Sequence, residues 1–466
     1  MQAPELLSPA GTLRAMRYAF AYGADAVYAG QPRYSLRVRE NEFNRLEVLT
    51  QAIEEAHALG KKFYIASNLA PHNSKVRSYI KNMEPVIDMQ PDALIMSDPG
   101  LIMLVRERWP DVPIHLSVQA NAVNYATVQF WQRQGLSRVI LSRELSIPEI
   151  AEIQAACPDM EIEVFVHGAL CIAYSGRCLL SGYMNHRDSN QGACTNACRW
   201  NYNVSEAEQT LEGNLQLKVL SNESNHGCCS QPATEPEQRV FMLEEANRPG
   251  EFMPAFEDEH GTYIMNSRDL RAVEHVPEFV RMGLASLKIE GRTKTYFYVA
   301  RTAQVYRQAI DDAASGREFN PQLLENLNSL SNRGYTDAFY SRRPISELQN
   351  YESGRSTSYR QQFVGDIMER NDNSFIVDVK NRFEIGDELE LMTPAGNFVF
   401  ELTHLMNKNG QSIHVAPGNK HIVQVPIPDA LRPKLTDHDI QFGLLMRFLR
   451  EPSPDQLMAG QLPPTN

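Results

Sequence analysis

The feature of this chain with the clearest chemical meaning is a cluster of cysteines. Four of its seven cysteines fall within 28 residues and follow directly on a predicted buried strand, 161–168: Cys171, Cys178, Cys194 and Cys198. Four thiolates form a ligand set for a zinc ion or an iron–sulfur cluster, and the residue types favour neither over the other. The separations of six, fifteen and three residues include only one pair with the tight spacing of structural zinc sites.

Two less favoured interpretations of the cluster are a pair of disulfides and four unrelated buried thiols. The sequence shows no secretory signal and no apolar run of membrane-spanning length, so we expect a cytoplasmic protein with reduced thiols and no membrane partner. Its 466 residues, 42% hydrophobic and 22% charged, suffice for one large and one small globular domain. The net charge of −12 argues against a uniformly basic surface, but nucleic-acid binding depends on local charge.

Short apolar strands alternate with amphipathic helices through the first 300 residues. Eight β–α units predict a (β/α)8 TIM-type barrel, with an open doubly wound sheet as the alternative. The predicted strands are 5–9, 25–30, 62–68, 93–98, 114–119, 138–144, 161–168 and 286–291. We assign residues 1–331 to this domain, including the cysteine segment 171–198 and an aperiodic, irregular insertion at about 204–260 between strands seven and eight.

One face of the predicted strands is unusually polar, and it points into the barrel because the apolar face must meet the helices. The carboxyl ends of barrel strands form the active-site mouth, where we place three candidate catalytic residues: His167, Lys288 and Glu290. Five more polar side chains are candidates for binding a small anionic substrate: Asn68, Gln119, Asn121, Arg143 and Arg292. The two arginines would clamp carboxylates. The competing interpretation is a structural ion-pair network in which Lys288 and His115 serve as partners of buried carboxylates.

Residues 332–361 interleave arginines with aromatic residues, which is the composition that single-stranded RNA binding uses. The candidate RNA-binding residues are Arg333, Arg342, Arg343, Arg355 and Arg360. By composition alone, an ordinary solvated connector is the simpler interpretation. Short alternating strands over residues 362–450 predict a small all-β, barrel-like domain, and the Pro- and Gln-rich residues 451–466 predict a disordered tail.

Four sequence motifs resemble one known family. The segment Glu163-x-Phe-x-x-Gly-Ala-Leu-Cys171-x4-Gly-x-Cys178-x-Leu-Ser is similar to the signature of peptidase family U32, the collagenase-like peptidases. The openings Glu5-Leu-Leu-Ser-Pro-Ala-Gly, Gly23-Ala-Asp-Ala-Val-Tyr-Ala-Gly and Ser286-Leu-Lys-Ile-Glu-Gly-Arg fit the same family. The resemblance covers essentially the whole chain, including the C-terminal β domain, whereas the segment around Cys228 departs from the family pattern.

The resemblance implies an iron–sulfur enzyme despite the peptidase name. Family members of this type hydroxylate nucleobases or quinone precursors without dioxygen, and the tRNA-modifying members make 5-hydroxyuridine at the wobble position with prephenate as hydroxyl donor. By this resemblance Cys171, Cys178, Cys194 and Cys198 would hold a [4Fe–4S] cluster, and the partners would be the anticodon arm of tRNA and the iron–sulfur assembly machinery. The alternatives are the same chemistry on ribosomal RNA or a quinone precursor, a collagenase-like peptidase, and a non-catalytic RNA-binding protein with a structural cluster.

Overall fold

The structure is a computed structural model, and it divides the chain into two compact units. It describes residues 2–30, 33–35, 42–69, 71, 73–169, 202–209, 215–217, 239–245, 252–258, 261–264, 268–332, 334–341 and 361–449. One unit comprises residues 1–168, 272–330 and 358–451, and the other comprises 169–271, 331–357 and 452–466. The cysteine segment and all five candidate RNA-binding arginines lie outside the described residues, so their roles stay predictions.

The first unit contains a closed barrel of eight parallel strands. Each strand pairs in parallel with the next, and the last strand pairs with both the first and the seventh, which closes the cylinder. With numbering in chain order, the barrel strands are β1 (Glu5–Pro9), β2 (Ala26–Gly30), β3 (Lys62–Ser67), β4 (Ala93–Met96), β5 (Ile114–Leu116), β6 (Arg138–Ile140), β7 (Glu161–Ala169) and β14 (Ser286–Ile289). The predicted (β/α)8 barrel is confirmed, and the open sheet is wrong because β14 pairs with β7 as well as β1.

Helices follow the barrel strands and present their apolar faces to them. Side-chain caps fix several starting points: Thr12, Asp98 and Asn124 each accept a hydrogen bond from the backbone three residues later. The helices are α1 (Leu13–Ala21), α2 (Leu46–Ala58), α3 (Asn73–Ile87), α4 (Pro99–Arg108), α5 (Tyr125–Arg133), α6 (Ile147–Ala156), α7 (Val276–Met282), α8 (Tyr296–Ala314) and α9 (Gln322–Asn328). None of the described helices has both the length and the apolar character that crossing a bilayer requires.

Several barrel strands end earlier than their polarity pattern predicts. Strand β5 stops at Leu116, and a 3-10 turn, Val118–Ala120, replaces its predicted end. The hydroxyl of Ser117 accepts a hydrogen bond from the backbone of Gln119, and Asn121 adopts a left-handed conformation with φ 54°. Ser and Asn compete for backbone groups in this way, so the chain turns where alternation alone predicts continued strand.

The second unit contains an antiparallel sheet where we predicted an irregular insertion. Its five strands pair in the order β12, β11, β10, β8, β9, so the prediction is wrong for these residues. They are β8 (Tyr202–Gln209), β9 (Leu215–Leu217), β10 (Arg239–Glu245), β11 (Phe252–Asp258) and β12 (Gly261–Ile264). Strand β11 contains Pro254, a residue that by itself argues against a central strand. The pairing of β11 with β12 ends at Ala255, so Pro254 pairs with β10 only. Strand β13 (Asp269–Arg271) pairs in parallel with β15 (Tyr335–Thr336).

The C-terminal domain of the first unit is antiparallel and β-rich, as predicted. Seven strands pair in the order β20, β19, β24, β16, β17, β23, β21, and β18 pairs with β22. The strands are β16 (Gln361–Arg370), β17 (Ser374–Val379), β18 (Phe383–Glu384), β19 (Glu388–Thr393), β20 (Gly396–Glu401), β21 (Met406–Asn407), β22 (Val415–Ala416), β23 (Ile422–Pro426) and β24 (Leu444–Phe448), with a short helix α10 (Asp437–Gln441). Phe375, Val377, Leu389 and Leu391 are fully buried in its core.

Helix α8 joins the barrel to the C-terminal domain through buried polar contacts. Arg301 of α8, fully buried, donates to both carboxylate oxygens of Glu390 at 3.2 and 2.6 Å. Gln361 donates to the same carboxylate at 2.8 Å. The hydroxyl of Tyr22 on α1 lies 2.8 Å from the Phe442 carbonyl oxygen. A buried guanidinium is stable only with a paired anion. The Arg301–Glu390 contact therefore fixes how the barrel and the C-terminal domain pack together.

We predict that Glu390→Gln destabilises the protein by about 3 kcal/mol, since removing one member of a buried ion pair leaves the other charge uncompensated. Urea denaturation of the full chain measures this loss. The double variant Arg301→Met/Glu390→Met should lose less than the single variant, because it buries no charge. The control is Glu55→Gln, which breaks the exposed Arg17–Glu55 pair and should cost under about 1 kcal/mol. Equal midpoints for Glu390→Gln and Glu55→Gln would contradict the prediction.

Candidate functional site

The interior of the barrel holds four charged side chains that neutralise one another, here called the barrel ion network: Glu5, Arg138, Glu163 and Lys288. Arg138 Nη1 lies 2.6 Å from Glu5 Oε1 and 3.1 Å from Glu163 Oε2. Lys288 Nζ lies 2.9 Å from Glu163 Oε1. Arg138, Glu163 and Lys288 are at most 3% exposed. Two cations meet two carboxylates, so the network is neutral, and it confirms that the polar strand face points inward.

Burial and neighbouring charge set the protonation of this interior. Burial lowers the pKa of Lys288, while the adjacent Glu163 carboxylate opposes that shift. Burial alone would raise the pKa of Glu5, but the Arg138 guanidinium outweighs it and the pKa is lowered. Burial, aided by Arg138 and Lys288, holds the pKa of His115 well below its ordinary value. His115 is therefore a neutral ring stacked edge-on against Tyr64 rather than the carboxylate partner that we considered.

Above the network, two aromatic rings bring three cations together, here called the mouth cations: Arg143, Lys288 and Arg292. Lys288 Nζ lies 4.2 Å from the ring centre of Tyr28 and 5.5 Å from that of Phe165. The Arg143 guanidinium stacks on Phe165 at 3.9 Å, and that of Arg292 lies 5.8 Å from Tyr28. The positive charge of Arg292 also contributes to the lowered pKa of Lys288. The arrangement places positive charge around one space, which favours a ligand with more than one negative group.

A β-bulge moves His167 out of the pattern that placed it in the barrel. Lys288 pairs with Phe165, but the next residue, Ile289, pairs with His167, so Val166 is skipped. The extra residue breaks strict alternation. The His167 ring packs against two tyrosines of α8, with ring centres 5.8 Å from Tyr298 and 5.5 Å from Tyr306. The polar face that we predicted for β7 therefore ends at Phe165, and a proton-carrying role for His167 stays a prediction.

The ends of β7 and β14 approach so closely that a side chain at Gly168 would collide. Gly168 has φ 110°, and a Cβ there would lie 2.5 Å from the Glu290 carbonyl oxygen. Tyr298 donates to that same oxygen at 2.8 Å. The Glu290 side chain is 8% exposed, and its catalytic role stays a prediction. This junction leads directly into the segment that carries the four cysteines.

Three of the predicted binding residues form a polar cluster at the ends of β3 and β5. Asn68 Nδ2 donates to Ser117 Oγ at 3.5 Å, and Asn121 Nδ2 donates to the Gln119 carbonyl oxygen at 3.3 Å. Ser117 is buried, whereas the three amides are half-buried. Carboxamides at a barrel mouth can read the donor and acceptor pattern of a nucleobase edge. The structure thus brings Asn68, Gln119 and Asn121 together around Ser117.

Arg138, which pairs with three carboxylates, was not among the site residues predicted from the sequence. The signal was present, because Arg138 opens β6 directly beside Glu161 of the neighbouring strand, and its Nε donates to that carboxylate at 2.8 Å. Sequence analysis also missed Phe165 as the platform beneath Arg143. Outside the cysteine cluster, Cys157 directly follows α6 and is buried, with 2% of its surface exposed.

The low pKa of His115 predicts a specific pH dependence of stability. The unfolded chain binds a proton at His115 below about pH 6.5, and the folded chain does not, so stability falls as the pH drops below that value. His115→Gln removes this contribution. Between pH 8 and 6.5 the difference in unfolding free energy between the two proteins should be constant. Between pH 6.5 and 5 the unfolding free energy of the wild type should fall relative to that of His115→Gln by up to about 1.4 kcal/mol per pH unit. Parallel stability curves from pH 8 to 5 would contradict the assignment.

Comparison with known proteins shows which family this chain belongs to. The model of peptidase family U32 matches residues 11–350, and that of the peptidase family U32 C-terminal domain matches residues 359–447. The chain is 61% identical to tRNA hydroxylation protein P of Escherichia coli, over 95% of this chain and 96% of that protein. It is 57% identical to tRNA hydroxylation protein P of Haemophilus influenzae, over 96% of each. A 23S rRNA 5-hydroxycytidine C2501 synthase of Escherichia coli is 28% identical, over 73% of this chain and 45% of that protein. The chain therefore belongs to peptidase family U32.

Proposed function

We propose that this protein hydroxylates the wobble uridine of tRNA to 5-hydroxyuridine, the first step toward 5-carboxymethoxyuridine. The observation that carries the proposal is the 61% identity, over nearly the full length of both chains, to a protein named for tRNA hydroxylation. A more distant relative is named for forming 5-hydroxycytidine, which is hydroxylation at carbon 5 of another RNA pyrimidine. The U32 resemblance adds prephenate as hydroxyl donor and an iron–sulfur cluster.

The mouth cations suit the proposed donor. Replacing hydrogen by hydroxyl at carbon 5 inserts one oxygen atom and oxidises the base by two electrons, so the donor gives up an oxygen atom and is reduced by two electrons. Prephenate carries two carboxylates. In this proposal Arg143 and Arg292, which contact Phe165 and Tyr28, would each hold one carboxylate, and Lys288, paired with Glu163, would add charge from below.

The four cysteines suit the proposed cluster by their chemistry and their place in the chain. Four thiolates are the common ligand set of a [4Fe–4S] centre. The first of them, Cys171, follows the end of β7 by two residues, and β7 ends at the barrel mouth. A cluster held by Cys171, Cys178, Cys194 and Cys198 would supply electron transfer to the reaction. The chain's own residues would orient the donor, exclude water and read the base edge through Asn68, Gln119 and Asn121.

A peptidase activity has less support than tRNA hydroxylation. Cys157 is the one cysteine among the described residues; burial raises the pKa of its thiol, which disfavours the nucleophilic thiolate. The described contacts of the His167 ring are with Tyr298 and Tyr306. An acylating peptidase needs a nucleophile within hydrogen-bond reach of a base.

The proposed function predicts loss of one nucleoside. Cells that lack this protein, grown without dioxygen to remove oxygen-dependent routes, should lose 5-hydroxyuridine and its derivatives from tRNA, as mass spectrometry of digested tRNA will show. Plasmid-borne wild type should restore them, whereas Cys171→Ala and Cys198→Ala should not and should lack the iron and the broad visible absorption of the purified protein. Cys157→Ala is the matched control and should behave as wild type. Unchanged tRNA nucleosides would refute the function, and full iron content in both cysteine variants would refute the ligand assignment.

The clamp predicts a specific kinetic change. Arg143→Ala and Arg292→Ala should each raise the apparent KM for prephenate about tenfold to a hundredfold, because each removes charged hydrogen bonds to a carboxylate. Arg292→Lys keeps the charge but loses the bidentate geometry, so it should also be impaired. Arg281→Ala is the control, since this residue lies in the exposed last turn of α7, which leads into the opposite end of β14. An unaltered KM in both alanine variants would exclude the clamp.

A further inference from the structure

A second cavity lies beside the barrel mouth, between the loop after β2 and helix α3. Its volume is about 430 Å³, which is within the range of small-ligand sites. Six of its seven lining residues carry polar groups: Arg33, Tyr34, Ser35, Lys75, Ser78 and Asn82. None of the seven is acidic. We call it the α3 pocket.

A buried tyrosine gives the α3 pocket a fixed floor. Tyr34 is 1% exposed, and its ring stacks edge-on against Tyr79 with ring centres 4.7 Å apart. Asn82 Nδ2 donates to the Tyr34 hydroxyl at 2.7 Å, and Ser78 Oγ lies 3.1 Å from that hydroxyl. The backbone N–H of Leu69 donates to the Tyr34 carbonyl oxygen at 2.8 Å. These contacts hold the pocket's shape, so little of its geometry must be ordered when a ligand binds.

Two cations stand at the rim of this floor. Arg33 and Lys75 are both exposed, and Arg33 Nη1 donates to Asn82 Oδ1 at 3.4 Å, which orients the guanidinium. Helix α3 carries three basic residues and one acidic one, a balance of +2 in a chain of −12. The pocket is therefore a local positive site on an acidic protein.

The α3 pocket shares a wall with the mouth. Arg292, one of the mouth cations, donates from Nη1 to Ser35 Oγ at 2.7 Å. Gly30 permits this contact, because a Cβ there would lie 2.8 Å from Ser35 Oγ and 3.1 Å from Arg292 Nη1.

From this arrangement we infer that the α3 pocket binds a backbone phosphate of the RNA whose target base enters the barrel mouth, an inference that rests on the proposed function. Base chemistry requires a splayed nucleotide, and a splayed nucleotide needs its neighbouring phosphates held. Arg33 and Lys75 supply both the positive charge and the hydrogen-bond donors for phosphate oxygens. Cations at an open rim suit a strand that continues past the site, whereas an enclosed charge pair would suit a small free anion.

Binding measurements on the full chain test the pocket separately from hydroxylation. The probe is an unmodified tRNA transcript with a wobble uridine, titrated across a salt series. Lys75→Ala and Arg33→Ala should each weaken binding severalfold and reduce the slope of log affinity against log salt by about 0.7, the value for one phosphate contact on a single strand. Lys81→Ala removes the same charge from an exposed position on the same helix that does not line the pocket, and it should leave the slope nearly unchanged.

A neutral phosphate makes the test specific. A set of anticodon stem–loops would each carry one methylphosphonate near the wobble uridine. When the methylphosphonate replaces the phosphate that Lys75 contacts, wild type and Lys75→Ala should bind the stem–loop equally, because the contact between Lys75 and that phosphate is already lost. If wild type binds and hydroxylates tRNA but both pocket variants match Lys81→Ala, the pocket inference falls and the proposed function stands. If wild type neither binds nor hydroxylates tRNA, both fall. A raised KM for prephenate with unaltered RNA affinity would instead assign the pocket to the small molecule and overturn the RNA assignment.

Discussion

The structure depends on neutralising charge inside a closed barrel. Glu163 has no exposed surface, and a carboxylate in that position is tolerated only because Arg138 and Lys288 lie within hydrogen-bond distance of its two oxygens. The same Lys288 reaches upward between Tyr28 and Phe165, where it joins two arginines. One side chain thus belongs both to the neutral interior and to the positive mouth. The position of Lys288 among the mouth cations therefore follows from its ion pair with Glu163 beneath them.

The sequence allowed the barrel to be predicted because its signals are local. Eight apolar strands in series with helices have few alternatives, and the closure between β14 and β1 joins segments whose apolar patterns were clear. Polarity also predicted correctly which face of β7 points inward, up to Phe165. Polarity did not predict the orientation of His167, which lies beyond Phe165. The β-bulge there depends on the pairing of β7 with β14 rather than on the residue types of β7.

Alternation of polar and apolar residues does not reveal two central strands of the C-terminal domain, for related reasons. The register of β16 shifts near Gly365 against one neighbour and near Met368 against the other, so its side chains do not alternate regularly. Strand β24 opens on three consecutive apolar residues, 444–446, which by themselves are compatible with a helix or a strand. In the mouth, the residue types were predictable from strand ends, but the stacking of Arg143 on Phe165 depends on tertiary distances that no spacing encodes.

The burial of Arg301 has a consequence for how the protein is made. Helix α8 leaves the ribosome well before residue 390, and among the described residues Glu390 is the carboxylate that pairs with Arg301. Until the C-terminal domain has been synthesised, the guanidinium must stay in water, which keeps this face of α8 away from an apolar environment. The same helix supplies Tyr298 and Tyr306 to the ends of β14 and β7. We therefore expect the barrel mouth to consolidate only after the C-terminal domain has been synthesised.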